Sequence, residues 1–193
     1  MKKKFLTHWF FAKRNVTFAT QMLAKPNNAW TALAEIDERT ATRFVYFFAT
    51  CCAVAKFFGF WIFDDGTFPV ALLAAAFRAL ALLTAWWLSL RYLPTLTVRL
   101  FKVEIPPRET ALLAAFGLLP VFVVYLILAF TSASFLYFLA LYNYIILYGG
   151  VGVLLDTDER TRGRLAQMVA VWLWALPLAI EWLLRLLVPN APL

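Results

Sequence analysis

Between Arg43 and Val188 the chain alternates five apolar runs with short polar gaps. The runs cover 44–63, 70–90, 110–130, 134–155 and 165–188. An α-helix rises about 1.5 Å per residue, so about 20 apolar residues cross the roughly 30 Å hydrocarbon core of a bilayer. Within each run the apolar residues are continuous rather than alternating, which is the pattern of membrane helices and not of barrel strands. Lipid offers the backbone no hydrogen-bond partner, and a helix satisfies its own. The pattern predicts an all-α polytopic membrane protein: a bundle of five transmembrane helices with an interfacial N-terminal helix.

Positive charge falls in alternate gaps. The gaps 64–69 and 131–133 carry no Lys or Arg. The gap after the second run holds Arg91, Arg99, Lys102 and Arg108, and the gap after the fourth holds Arg160, Arg162 and Arg164. The N-terminal segment adds Lys2, Lys3, Lys4, Lys13, Arg14, Lys25, Arg39 and Arg43. By the positive-inside rule the N-terminus is expected in the cytoplasm and the C-terminus outside it. Three regions follow: a cytoplasmic or interfacial segment 1–42, a five-helix membrane domain 43–188, and an extracytoplasmic tail 189–193.

Composition narrows the function classes. The chain is 63% hydrophobic, too apolar for a soluble domain of 193 residues. Its net charge of +7 would suit nucleic acid, but the cations edge the membrane runs, where topology and anionic lipid explain them. Membrane lipids are the expected partners and nucleic acid is not.

The first residues, MKKKFLTHWFFAKRNVTFA, lack a small-residue cleavage site, and their apolar stretch stops at Lys13–Arg14. An aromatic, basic segment on the inner leaflet is expected. Asn28 is the candidate cap of a short second helix, with Trp30 and Leu33 facing the interface and Glu35, Asp37 and Glu38 facing water. The chain is then expected to turn at Thr42–Arg43 into the first span. Cys51 and Cys52 are adjacent and point in different directions on a helix, so they read as packing residues. His8 has no metal pattern around it.

Four charges sit inside the runs: Lys56, Arg78, Glu181 and Arg185. An intramembrane charge costs several kcal/mol unless it is paired or can snorkel. With the orientation above, Lys56, Arg78 and Glu181 all fall roughly 10–12 Å below the outer boundary. They form a candidate polar cluster, with Glu181 as acceptor, Arg78 as bidentate donor and Lys56 as a second cation. Arg185 is one turn from Glu181 and able to pair with it. Two readings stand: a site open to a headgroup, ion or proton, and a static pair tying spans together. The fourth run carries Tyr137, Tyr144 and Tyr148 at helical spacing, with Asn143 near mid-membrane. Gly149, Gly150 and Gly152 allow close helix approach. These residues predict a helix-packing or polar face. Pro94, Pro120 and Pro177 are candidate kinks or helix ends.

No catalytic constellation stands out: no Ser nucleophile with a base, no HExxH, no phosphate loop. No catalytic residue, cofactor or metal is expected. In the loop 156–164, Asp158 and Glu159 suit the start of the last helix, and Arg160, Arg162 and Arg164 are candidate lipid-phosphate contacts.

The order of features resembles a known family. Leu23–Ala24–Lys25–Pro26 and Ala29–Trp30 precede an acidic stretch at Glu35–Glu38, and five spans follow, the third with a central Pro120. The fourth ends Leu147–Tyr148–Gly149–Gly150–Val151–Gly152–Val153–Leu154–Leu155 before a charged turn. Over residues 23–187 this resembles the Yip1 family of five-span membrane proteins in its short bacterial form. The resemblance implies an integral membrane protein with a cytoplasmic N-terminus, here in the bacterial inner membrane. Eukaryotic members bind Rab GTPases in vesicle trafficking; their Asp-Leu-Tyr-Gly-Pro motif is absent here, so that role is not carried over. The expected function is a non-enzymatic scaffold or interaction subunit in envelope or lipid organisation. Its partners would be lipids, a second copy of the chain or other membrane proteins. The alternative is a small transporter or channel component using the charged cluster.

Overall fold

The computed structural model describes residues 2–63, 67–131 and 134–187, without the side chains of 2–12, 134, 136, 140, 141, 185 and 187. The gap residues 64–66 and 132–133 and the tail 188–193 lie outside it. The chain begins with α1 (Lys2–Ala24) and α2 (Pro26–Leu33), followed by the long α3 (Glu38–Phe63) and α4 (Phe68–Phe101). The third run divides into α5 (Pro107–Gly117) and α6 (Leu119–Leu128). A 3₁₀ segment (Ser134–Tyr142) leads into α7 (Asn143–Leu154), and α8 (Glu159–Leu187) follows. Among the described residues five stretches are long and apolar enough to cross a membrane: Glu38–Phe63, Phe68–Phe101, Pro107–Leu128, Tyr137–Leu154 and Glu159–Leu184. The fold is the all-α, five-span architecture expected from the runs.

The helix ends depart from the apolar boundaries because polar caps set them. α3 and α8 both begin inside the same tetrapeptide, Asp-Glu-Arg-Thr, at 37–40 and at 158–161. Asp37 Oδ1 accepts from the Thr40 N–H at 3.1 Å, and Asp158 Oδ2 accepts from the Thr161 N–H at 3.0 Å. Each carboxylate thus satisfies an otherwise unpaired donor of the first turn. The turn into the first span lies at Asp37, not at Thr42–Arg43. Nor does Asn28 cap α2. That helix starts at Pro26, whose missing N–H removes one of the unpaired donors of the first turn, and Asn28 lies within it with no side-chain cap hydrogen bond made.

α4 runs through Pro94 as far as Phe101, so Arg91 and Arg99 are helical rather than in a loop. It ends at Lys102, whose N–H donates to the Val98 carbonyl and whose left-handed conformation (φ 59°) turns the chain so that the Val103 N–H reaches the Thr97 carbonyl. At 34 residues it is about 51 Å long, more than the hydrocarbon core requires. Pro120 does divide its run: it sits in the first turn of α6, just after the break at Leu118. Pro177 lies inside α8, which continues past it.

The third span is the centre of the bundle. Some 78% of its apolar window is buried, against 28–39% for the other four. α3 packs on α4, α4 on α8, and α8 on α7, and all four contact α5. The remaining side is closed by α2, which packs on α7, and by α1, which contacts α2 and α3. Trp30 of α2 does not face the interface. It is fully buried, and its indole N–H donates to the Ile146 carbonyl of α7 at 2.7 Å. Leu33 is buried beside it. The apolar face of α2 finds a protein groove because α7 presents Gly149 and Gly150 there. A Cβ on Gly150 would lie 2.5 Å from the Trp30 ring, and one on Gly149 2.5 Å from Asn27 Oδ1. From Trp30 an aromatic column runs inward. Trp30 meets Phe116 edge-on at 5.9 Å, Phe116 meets Phe44 at 4.6 Å, Phe44 meets Phe48 at 4.7 Å, and Phe48 stacks on Phe122 at 5.8 Å.

Candidate functional site

Arg78 and Glu181 reach each other across the α4–α8 contact. These two helices run antiparallel, and two polar contacts fix their register. Trp172 Nε1 donates to Ser89 Oγ at 3.1 Å, and further along Arg78 Nε stands 2.9 Å from Glu181 Oε1. The ion pair is nearly sealed, with side-chain exposures of 10% and 7%. The Arg78 guanidinium carbon also lies 3.9 Å from the Tyr125 ring centroid, so the cation is held by a carboxylate and a π face together. α6 contributes Tyr125, and α3 meets α6 one turn away through Cys52. The Cys52 thiol donates to the Phe122 carbonyl at 3.4 Å, and both cysteines are free thiols. The pair therefore joins α4 and α8 directly and reaches the third span through Tyr125.

Of the other intramembrane charges, Lys56 is half-buried one turn beyond Cys52, with its ammonium 5.5 Å from the Phe60 ring centroid. The Arg185 side chain lies outside the described residues. Tyr125 has no hydrogen-bond partner for its hydroxyl among the described residues.

The tyrosines of the fourth run do not form one stripe. The 3₁₀ turn changes the angular step between Tyr137 and Tyr144, so Tyr137 packs edge-on against Tyr125 at 6.5 Å. Tyr144 and Tyr148 pack together at 6.0 Å at the far end of the same run. Asn143 is fully buried with neither amide atom hydrogen-bonded among the described residues. It stands at the junction where the 3₁₀ segment passes into α7.

The end of the bundle formed by the starts of α3, α5 and α8 and the end of α4 carries the loop cations. Arg160 and Arg164 are exposed. Arg162 turns inward instead. Its guanidinium lies 5.7 Å from the Tyr148 ring centroid and fills the space beside Gly152, where a Cβ would come within 2.8 Å. The partner that Gly152 admits is thus an arginine head. Arg108, which in sequence is only one more loop cation, has a specific task. Its Nε donates to the Ile36 carbonyl at 3.0 Å, its Nη2 to the Ala34 carbonyl, and its Nη1 lies 3.3 Å from Glu109. It thereby ties the C-terminal end of α2 to the start of the central span. No local signal distinguishes it, because its acceptors are backbone carbonyls 72 and 74 residues away.

The two capping carboxylates titrate below the usual range. The Thr40 hydroxyl, then its backbone N–H, hold Asp37 down; the Thr161 hydroxyl and N–H do the same for Asp158. Among the described residues no group of three or more His, Cys, Asp or Glu is placed to hold a metal ion.

At the opposite end Phe57, Phe58, Trp61 and Phe68 form a contacting cluster, with centroids 5.2–6.5 Å apart. Phe63 and Phe130 pair at 6.2 Å. Exposed aromatic rings at a span end suit the headgroup level of a bilayer. Comparison with family models, curated proteins and solved structures finds no match for this chain.

Proposed function

We propose that this chain is a non-enzymatic, five-span scaffold or interaction subunit that organises lipid or other membrane proteins. In this reading it lies in the bacterial inner membrane with its basic end cytoplasmic, in the manner of the short Yip1-like proteins its motif order resembles. One observation carries the reading: the intramembrane charges Arg78 and Glu181 are engaged with each other and walled in by Tyr125. A transport site holds its charges toward a path, whereas a pair in contact with each other ties spans together. The outward faces supply the contact area. Trp61, Trp87 and Trp182 are exposed on apolar surfaces, and exposed Arg160 and Arg164 stand where anionic headgroups would lie.

The test is purification in mild detergent, identification of retained proteins and lipids by mass spectrometry, and ion and solute flux in proteoliposomes. Retained partners without flux are expected. Flux that Glu181→Gln abolishes in a protein that still folds would overturn the scaffold reading in favour of transport.

A further inference from the structure

α4 and α8 are held together by Arg78–Glu181 and Ser89–Trp172. Between them opens a groove of about 710 Å³, within the ~300–1,000 Å³ range of sites that hold a small molecule. Leu96 and Leu100 form one wall, and Met168, Trp172 and Leu176 form the other. The Trp172 N–H is already donated to Ser89 Oγ, so that wall offers apolar surface. Ala175 and Ala179, with their small side chains, continue the lining along α8. The groove's cation is Arg164, with Gln167 one turn further along α8.

We propose that this groove binds one acyl chain of an anionic phospholipid, with the lipid phosphate on Arg164. Three features choose this occupant. From Arg164 to Ala179 the groove follows α8 for about 22 Å, enough to take a chain of one leaflet, whose share of the hydrocarbon core is about 15 Å. Its charge lies at the end where α8 passes from Asp-Glu-Arg-Thr-Arg-Gly-Arg into apolar sequence, which is headgroup depth. The antiparallel register carries Arg99 and Lys102 of α4 to the level of the first turn of α8, and both are exposed. These exposed cations draw anionic lipid to this end of the bundle, and Arg164 in the groove is the one that holds the head, while a neutral head gains nothing from it. A helix from another protein would cover the apolar wall but leave Arg164 without an anion.

The inference rests on the lipid-organising part of the proposed function and names its ligand class. The experiment compares native mass spectra of the detergent-solubilised protein with phosphatidylglycerol, with phosphatidylcholine of the same chains, and with glycerol phosphate alone. Phosphatidylglycerol is expected to be retained about fivefold more than phosphatidylcholine, the effect of one arginine at an anionic surface. Glycerol phosphate is expected not to be retained. Arg164→Gln should erase the preference, and Ala175→Phe, which fills the groove, should reduce retention of both lipids. Arg164 is exposed, so its variant keeps the fold, which an unchanged melting temperature verifies. An intact preference in Arg164→Gln, or unchanged retention in Ala175→Phe, overturns the proposal. So does a dimer that Ala175→Phe dissociates and phosphatidylglycerol does not displace. Flux through a chain that still retains phosphatidylglycerol here would sink the scaffold reading alone, whereas lost retention without flux would sink the groove alone.

Discussion

Arg78 and Glu181 lie 103 positions apart in the sequence and 2.9 Å apart in the fold, both nearly sealed from solvent. Removing one member leaves the other charged and without its partner in a low-dielectric bundle, which costs about 3–5 kcal/mol. Arg78→Gln and Glu181→Gln should each lower the unfolding midpoint sharply. The double variant should recover much of the loss, because it leaves no lone charge. Denaturant unfolding in bicelles would measure this; strictly additive losses would show that the pair is not coupled.

Tyr125 offers Arg78 a ring face, but its hydroxyl has no partner among the described residues. The ring and the hydroxyl should therefore separate cleanly. Tyr125→Phe keeps the π face and removes an unsatisfied group, so stability should hold or rise. Tyr125→Leu loses the cation–π contact, worth about 0.5–2 kcal/mol. Thermal unfolding of the two variants side by side is the check, and a larger loss in Tyr125→Phe would contradict the geometry.

Gly150 and Trp30 fit only as a pair. Gly150→Ala places a methyl 2.5 Å from the indole, an overpacking expected to cost about 1–3 kcal/mol. In a Trp30→Leu background the same substitution should cost much less, since the crowding ring is gone. A double-mutant cycle on protease resistance or unfolding would read the coupling. Gly59 is tighter still: the Ala129 carbonyl occupies the space of its missing Cβ, so Gly59→Ala should push α3 from the end of α6.

The caps at Asp37 and Asp158 give a pH dependence with a definite sign. Both folded pKa values lie below the ordinary aspartate value of about 3.9. Their contribution is complete above that unfolded value and is lost as pH falls through the lower, folded ones. Helicity at the starts of α3 and α8 should be flat from neutral pH down to about pH 5 and weaken below about pH 4. Asn is an equally good cap without the charge, so Asp37→Asn with Asp158→Asn should flatten that acid limb. Site-resolved hydrogen exchange across pH 3–7 would track it.

Hydropathy made the spans legible but not their neighbours. The third run is the most apolar of the five and the most buried, yet a lipid-facing helix would have looked the same. Alternating charge gave each span a direction, and direction gave Arg78 and Glu181 a common depth, which the structure turns into contact. The inward side of α2 was not readable: Trp30 suits an interface as well as a groove, and its acceptor is a backbone carbonyl 116 residues later. Arg108 was hidden for the same reason. Arg162 was hidden because an arginine beside a glycine stripe reads as a loop charge until the stripe has a partner.

The hydrogen bond from Trp30 to the Ile146 carbonyl also orders events during synthesis. The groove that receives α2 does not exist until the fourth span has been made, more than a hundred residues after the tryptophan itself. Until then the N-terminal helices have no proteinaceous place to rest, and the central span lacks one of its walls. The seating of Trp30 therefore waits for a span made much later, and nascent chains truncated before Ile146 should keep Trp30 open to solvent quenchers or lipid.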